Sequence, residues 1–236
     1  METLTSDREL VRLDLASLGV RRLNHYLHHE LPRTGARRVE IVNPAGQHNI
    51  AVGLDCPVQV DVRGHGGYFL AGMNKQAQVT VDGNVGWSVA ENMMSGSVRV
   101  RGNASQCAGA SAHGGLLVIE GNAASRCGIS MKGCDIVVGG NVGHVSAFMA
   151  QAGRLLVCGD AGTGLGDSLY EAVIYVGGRI QGLGADAREE PMTAEDLEQA
   201  AELLRRAGLA GDPRRFKRVA SARTLYHWNA DAHQEY

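Results

Sequence analysis

The chain has 236 residues, a net charge of −2 at neutral pH and a pI near 6.5. This charge gives no bulk attraction to nucleic acid or to an anionic membrane, so we expect neither as a partner. The longest aliphatic run, Leu116–Ile119, is far too short to span a bilayer. The start of the chain lacks the basic and apolar segments of an export signal, and the five cysteines contain no CxxC pair. We therefore expect a cytoplasmic protein with reduced thiols.

The first predicted element is a helix over residues 17–31. Apolar residues recur at helical spacing in this stretch, and Pro32 follows the last of them. His25 and His29 are four residues apart on this helix, which suits a pair of metal ligands. No third ligand is nearby in the sequence, so we interpret them as surface histidines and predict no metal site.

A 19-residue repeat follows and decides the fold. Its marker is a glycine that recurs seven times at this interval. These glycines are Gly64, Gly83, Gly102, Gly121, Gly140, Gly159 and Gly178. Aliphatic residues occupy the positions two and four before every one of them, which is the alternation of a short strand with one buried face. The repeat therefore predicts one short strand at the same place in each unit.

Two further positions of the repeat are also specific. An asparagine follows four of the glycines, and Asp160 follows the next. The asparagines are Asn84, Asn103, Asn122 and Asn141. One identical amide per unit predicts a ladder in which each side chain bonds the next coil. The residue seven positions after each glycine is alanine or glycine, as a tight corner and a narrow interior require.

These features predict an all-β fold, a right-handed single-stranded parallel β-helix of about seven 19-residue coils with helical caps at both ends. Leucine-rich repeats, propeller blades and hexapeptide β-helices have other repeat lengths or core patterns. Val39 and Ile41 predict a further, irregular coil before the regular ones. Thr193–Asp196 begins a second helix with a capping-box pattern, and Gly208 ends it. The predicted domains are an N-terminal helical cap (1–37), the β-helix (38–186) and a C-terminal helix and tail (187–236).

No catalytic constellation stands out. Gly162–Gly166 lacks the spacing of a dinucleotide-binding loop, and no P-loop or GxSxG motif is present. Cys107 and Cys127 occupy neighbouring places on successive coils and are interpreted as core residues. His113 has no nucleophile or carboxylate that the sequence places beside it. We therefore predict no catalytic, cofactor-binding or metal-binding residue in this chain.

One stripe of the repeat is a candidate binding surface. Eleven positions after the glycines, polar residues and a methionine stack into a ridge along the solenoid. The ridge consists of Lys75, Met94, His113, Lys132, Gln151 and Tyr170. Methionine adapts to partner surfaces, and solenoids commonly bind along one face. An ordinary outer corner is the competing interpretation.

The coils also carry a family resemblance. Val79–Gly96, Val98–Gly115 and Leu117–Gly133, with their G-N-x-G/S/A starts and MxG or GG ends, resemble the GXGXG domain. That domain is the β-helical C-terminal part of the large subunit of glutamate synthase, and the resemblance covers about residues 40–186. With the strings Met73–Gln76 and Glu91–Gly96, the chain is similar to stand-alone forms such as the small subunit of N-methylglutamate synthase (methylamine–glutamate N-methyltransferase). The third subunit of formylmethanofuran dehydrogenase and of the formyltransferase/hydrolase complex is also similar.

The resemblance implies a hetero-oligomer whose chemistry lies in other subunits. In such systems a glutaminase-like subunit releases ammonia, and a synthase subunit holds FMN and an iron–sulfur cluster. The glutaminase uses an N-terminal cysteine, whereas residue 2 here is Glu, and the five dispersed cysteines do not suit iron–sulfur ligation. We expect a non-catalytic assembly subunit of a glutamate-synthase-like complex, with N-methylglutamate synthase as the leading candidate. The alternative is a scaffold subunit of a formyl-transfer complex.

Overall fold

The computed structural model describes residues 10–224. Nine parallel strands follow one another along a single sheet, and strands that are consecutive in sequence are hydrogen-bonded neighbours. They are β1 (Leu10–Asp14), β2 (Arg38–Val42), β3 (Gln59–Arg63), β4 (Gln78–Val81), β5 (Ser97–Val100), β6 (Leu116–Ile119), β7 (Lys132–Val138), β8 (Ala152–Val157) and β9 (Val173–Val176). This arrangement is a parallel β-solenoid, and the predicted fold class is confirmed.

The 19-residue period sets the register of the regular coils. Val60 pairs with Val79, Val79 with Val98, and the same offset continues to Ile174 on β9. These residues point into the solenoid and are almost fully buried. The predicted irregular coil is also present, because Val39 on β2 pairs with Val60 at an offset of 21 residues.

The side of each coil after the strand consists of turns whose backbone enters the left-handed region at every second residue. In the second regular coil, Ser88, Ala90 and Asn92 have φ of 61°, 55° and 55°. The middle position of this triplet is the small residue of the repeat, and it is buried in the first six regular coils. At Gly109, an added Cβ would lie 2.6 Å from Ile136. A small residue is therefore needed at this position for two reasons. The backbone is left-handed there, and the interior beside it is already filled by other side chains.

The N-terminal cap differs in detail from the predicted helix over 17–31. β1, which the sequence analysis did not predict, comes first and pairs with β2. The helical stretch is α1 (Leu15–His25), a π-helical segment (Tyr26–Glu30) and α2 (Leu31–Thr34). Pro32 does not end the helix, since α2 begins at Leu31 and proline is tolerated in a first turn. The apolar face of the cap closes the core, with Leu23 and Leu27 fully buried.

The C-terminal helix α3 (Ala194–Ala207) lies on the outer face of the sheet and not over the open end of the solenoid. Its buried residues Leu203 and Leu204 form a second apolar cluster with outward-facing side chains of β6 to β9. Those side chains are Val118, Val137, Leu156 and Tyr175. The helix goes there because these strands are apolar on both faces, so the outer face needs a cover.

Two antiparallel strands complete the sheet at the C-terminal end. β11 (Lys217–Ser221), which follows a short 3₁₀ turn at Pro213–Arg215, pairs with β9 on one side and with β10 (Ala187–Glu190) on the other. Arg218 of β11 forms ion pairs with Glu190 and Asp196, which join this strand to β10 and to the helix α3. Within residues 10–224, no helix combines the length and apolarity needed to cross a bilayer.

Candidate functional site

The asparagine row forms a hydrogen-bonded ladder along one corner of the solenoid. The Oδ1 atom of Asn84 accepts from the backbone N–H of Asn103 at 2.8 Å, and the next two rungs repeat this distance. The backbone N–H of Asp160 donates to the Oδ1 of Asn141 at 2.7 Å, and the Oδ1 of Asp160 accepts from the backbone N–H of Arg179. Each side chain thus joins one coil to the backbone of the next.

His65 is the first rung of the ladder, a role that the sequence analysis missed. Its Nδ1 accepts from the backbone N–H of Asn84 at 2.9 Å, in the same place where later coils use an amide oxygen. The signal was present, since His65 follows Gly64 as Asn84 follows Gly83. A neutral imidazole with its proton on Nε2 replaces the amide as acceptor.

The repeat glycines are needed because the ladder passes over them. A Cβ on Gly102, Gly121, Gly140 or Gly159 would lie under 3.0 Å from the Oδ1 of the preceding rung and from a backbone carbonyl. None of these four glycines has a positive φ, so conformational freedom is not the reason for the glycine. The glycine and the asparagine of each repeat are therefore one structural unit.

The predicted ridge lies along a different corner. Lys75, Met94, His113, Lys132 and Gln151 are exposed, and Tyr170 is half-buried. Their backbone N–H groups bond the preceding coil, for example His113 to the carbonyl of Met93 at 2.8 Å. The side chains therefore stand in a row on a fixed backbone. Lys75 pairs with Asp55 at 3.0 Å.

An aromatic stack at the N-terminal end of the solenoid was not predicted. The rings of His48 and Tyr68 are 4.3 Å apart, and those of Tyr68 and Trp87 are 5.6 Å apart, with nearly parallel planes. Tyr68 and Trp87 are 19 residues apart and share a row of the repeat, which continues with Gln106 and Ser125. Further along the same row, the Ser125 hydroxyl lies 2.8 Å from Nδ1 of His144.

The outer face of β2 to β5 carries ion pairs in place of apolar side chains. Arg63 contacts Glu40 at 2.8 Å and Asp82 at 2.5 Å, and Arg38 contacts Asp61 at 2.7 Å. These carboxylates hold the pKa of Arg63 above its usual range, chiefly through the hydrogen bond to Asp82. The charges on this face compensate one another, which is typical of a solvated surface.

The histidines and cysteines considered for chemistry are dispersed. His25 and His29 are exposed with ring centroids 4.7 Å apart, and Nδ1 of His25 lies 3.2 Å from Glu30. Among residues 10–224, no three histidine, cysteine or acidic side chains converge as a metal site would require. Cys127 is fully buried, which raises the pKa of its thiol to about 12, whereas Cys107 is only half-buried. Burial of this kind makes a thiol inert.

A cavity of about 550 Å³ lies beside the N-terminal cap, between the ends of β1 and β2 and the helix α1. Arg22 and Glu30 line it and pair with each other through two hydrogen bonds. These two charges compensate each other, and we assign the cavity no reaction.

The fold defines this chain as a parallel β-solenoid with a polar ladder along one corner. No protein-family model matches the chain. Protein GlxC of Rhizobium meliloti (strain 1021) is 55% identical to it over 220 residues, which cover 93% of this chain and 96% of GlxC. The chain therefore belongs to the GlxC family.

Proposed function

We propose that this protein is a non-catalytic assembly subunit of a glutamate-synthase-like complex. The observation that carries the proposal is the repeat itself: seven coils with the glycine and asparagine pattern that resembles the GXGXG domain, folded as a parallel β-solenoid. The near full-length similarity to GlxC supports a stand-alone subunit of this size.

The complex that we propose is N-methylglutamate synthase, which forms N-methylglutamate from glutamate and methylamine. In this assembly the chain packs between a glutaminase-like subunit and a synthase subunit that binds FMN and an iron–sulfur cluster. The chain itself supplies no cofactor ligand and no acid, base or nucleophile. Its contribution is a rigid rod, because each coil is bonded to its neighbours through the strands, the turns and the ladder.

The proposal is tested by purifying the tagged protein from its native cells and recording the absorption spectrum of the eluate. We expect a yellow complex with flavin and iron–sulfur bands that consumes glutamate with methylamine as the amine donor. A colourless protein that elutes alone would contradict the proposal. Elution with formyltransferase-like subunits would favour the formyl-transfer scaffold in its place.

A further inference from the structure

The cavity beside the N-terminal cap, which we call the cap cavity, has the size and the lining of a small-molecule site. Its volume of about 550 Å³ falls within the range of ligand-binding clefts. Apolar side chains of β1, α1 and β2 form part of its wall, namely Leu13, Leu18 and Val42. Arg22 also lines it and is exposed, so the cavity is open to solvent and a ligand can enter.

The backbone of the cap departs from α-helical geometry next to this cavity. Gly19, in the middle of α1, has φ of 70° and ψ of 156°. The π-helical segment Tyr26–Glu30 follows, and the N–H of Leu31 bonds the carbonyl of Tyr26, five residues back. Tyr26 and Glu30, the two ends of this segment, both line the cavity. Because π-helical turns are rare and occur frequently at functional sites, their presence here supports a binding site.

Within residues 10–224, three of the four charged side chains that line the cavity pair with an opposite charge. The two terminal nitrogens of Arg22 bond the two carboxylate oxygens of Glu30, which His25 also contacts at 3.2 Å. The hydrogen bond from Arg22 holds the pKa of Glu30 below its usual range, so this carboxylate stays ionised at neutral pH. The third charge is Arg12, whose Nε lies 3.3 Å from Glu40.

Asp14 is the fourth of these charges, and it has no cationic partner among residues 10–224. Its Oδ1 accepts from the backbone N–H of Ala16 and from Nδ2 of Asn43, both at 3.0 Å. These two neutral donors fix the carboxyl group in place but leave its charge uncompensated. A cation that enters the cavity is therefore attracted to Asp14, and the carboxylate does not have to reorganise to meet it.

Tyr26 adds an aromatic ring and a hydroxyl to the same lining. Burial raises the pKa of the phenol, so the hydroxyl remains protonated and neutral. An aromatic ring attracts organic cations, and a phenolic oxygen accepts hydrogen bonds from ammonium groups. A carboxylate, an aromatic ring and an apolar wall in one cavity therefore complement an ammonium group that carries an aliphatic chain.

We propose that the cap cavity binds a small aliphatic ammonium compound. Its ammonium group pairs with Asp14 and contacts Tyr26, and its chain packs against Leu18 and Val42. A carboxylate or a phosphate is not complemented by this lining, since both guanidinium groups that residues 10–224 contribute to it are already paired. The inference goes beyond the assembly role and does not depend on it, because it concerns the isolated chain.

The experiment is a calorimetric titration of the purified full-length chain at neutral pH with n-butylammonium, n-butanol and butyrate. The three probes have similar aliphatic chains and differ in the charge of the head group. We expect the ammonium compound to bind at least about tenfold more tightly than the other two, because only its charge is opposite to that of Asp14. If n-butylammonium does not bind, or if the three probes bind equally, the proposal is wrong.

Two variants locate the site. Asp14→Asn removes the charge and keeps the acceptor for Ala16, so we expect the affinity for n-butylammonium to fall about tenfold, with little change for n-butanol. Tyr26→Leu removes the ring and keeps an apolar side chain, and it should weaken binding of the ammonium compound about threefold or more. Glu198→Gln removes an exposed carboxylate from α3 and is the matched control, which should leave the affinity unchanged.

Thermal melts show whether each variant folds, and if Asp14→Asn does not, Tyr26→Leu alone decides the test. Wild-type affinity in the folded variants would place the bound ammonium compound elsewhere on the chain and overturn the proposal. The assembly role would stand in that case, because no partner subunit takes part in the experiment.

Discussion

At the scale of single residues, the pairing of glycine with asparagine explains why the repeat is so regular. Each asparagine oxygen reaches across to the next coil and occupies the space where a side chain on the following glycine would begin. The asparagine satisfies a backbone donor that faces the corner, and the glycine makes the approach possible. A substitution of the glycine therefore disturbs the hydrogen bond of the asparagine that lies over it.

Gly121→Ala tests this account of the repeat. The new methyl group would meet Oδ1 of Asn103 and the carbonyl oxygen of Gly102, so we expect a loss of about 1–3 kcal/mol in the free energy of unfolding. Gly182→Ala is the matched control, because its methyl group would meet Thr163 at 3.8 Å, an ordinary contact. Chemical denaturation of both variants provides the measurement. Equal stability of the two variants would contradict the steric role.

The last rung of the ladder is a carboxylate, and this predicts a dependence on pH. The hydrogen bond from the N–H of Arg179 holds the pKa of Asp160 below its usual value, and the Arg179 side chain contributes further. Because the pKa is lower in the folded state, ionised Asp160 stabilises the fold at pH values above its unfolded-state pKa of about 3.9. This stabilisation is lost as the pH falls through the folded-state pKa. Stability should therefore decrease in acid through this group.

Asp160→Asn isolates that contribution, because asparagine occupies the same row in four other coils and keeps the acceptor. We expect the wild-type protein to have a higher Tm than the variant, and the difference to be largest near neutral pH. The difference should shrink below about pH 4. Thermal melts of both proteins from pH 7 downward test this. A difference that stays constant in acid would show that the ionised form of Asp160 adds nothing.

At the scale of elements, the outer face of the sheet changes character midway along the solenoid. β2 to β5 carry ion pairs there, whereas β6 to β9 carry Val118, Val137, Leu156 and Tyr175 under α3. Polar contacts fix the helix in place: Arg206 reaches Asp135 at 2.6 Å, and the Tyr175 hydroxyl donates to Asp196 at 2.8 Å. The helix thus shields an apolar surface that would otherwise promote aggregation.

Leu203→Ala tests how much α3 contributes. Leu203 is fully buried against the sheet, so we expect a loss of about 2–5 kcal/mol in the free energy of unfolding. Hydrogen exchange should accelerate in α3 first, since the helix is held by one layer of contacts. Glu198→Ala, on the exposed face of the same helix, should change little. Slow exchange in α3 of the Leu203 variant would show that the polar contacts alone hold it.

The regular coils, the irregular coil at β2 and the helix α3 were predictable from the sequence, whereas β1 and the left-handed turns were not. The 19-residue interval placed β3 to β9 because their aliphatic residues recur in one register. β1 escaped notice since its partner β2 lies 28 residues away, outside the period. The left-handed conformation of Ala71, Ala90 and Ala147 could not be foreseen either, because alanine carries no signal for a positive φ.

The candidate surfaces were predictable to a lesser extent. The 19-residue period alone placed Lys75 and Lys132 in one row. The row is exposed because it lies on an outer corner of the solenoid. The aromatic stack needed one more comparison, because His48 precedes Tyr68 by 20 residues and falls outside the strict repeat. What binds along these rows depends on another molecule, which a single sequence does not describe.

At the scale of the whole molecule, the solenoid is a rod with one covered face, one charged face and an aromatic stack near its N-terminal end. Every coil is tied to the next by parallel strand bonds and by turn bonds that run in both directions. Such a rod is stiff along its length, since a coil cannot shift without breaking the hydrogen bonds to its neighbours. This property suits the assembly role proposed above.

We propose that this chain organises partner subunits without performing chemistry itself. The most direct test of this proposal is the rate of N-methylglutamate formation from glutamate and methylamine by the glutaminase-like and synthase subunits, measured as purified wild-type chain is added. We predict no turnover by the chain alone, and a rate for the mixture that rises until the chain reaches a fixed ratio to its partners. Turnover by the chain alone, or a rate that does not respond to its addition, would contradict the account.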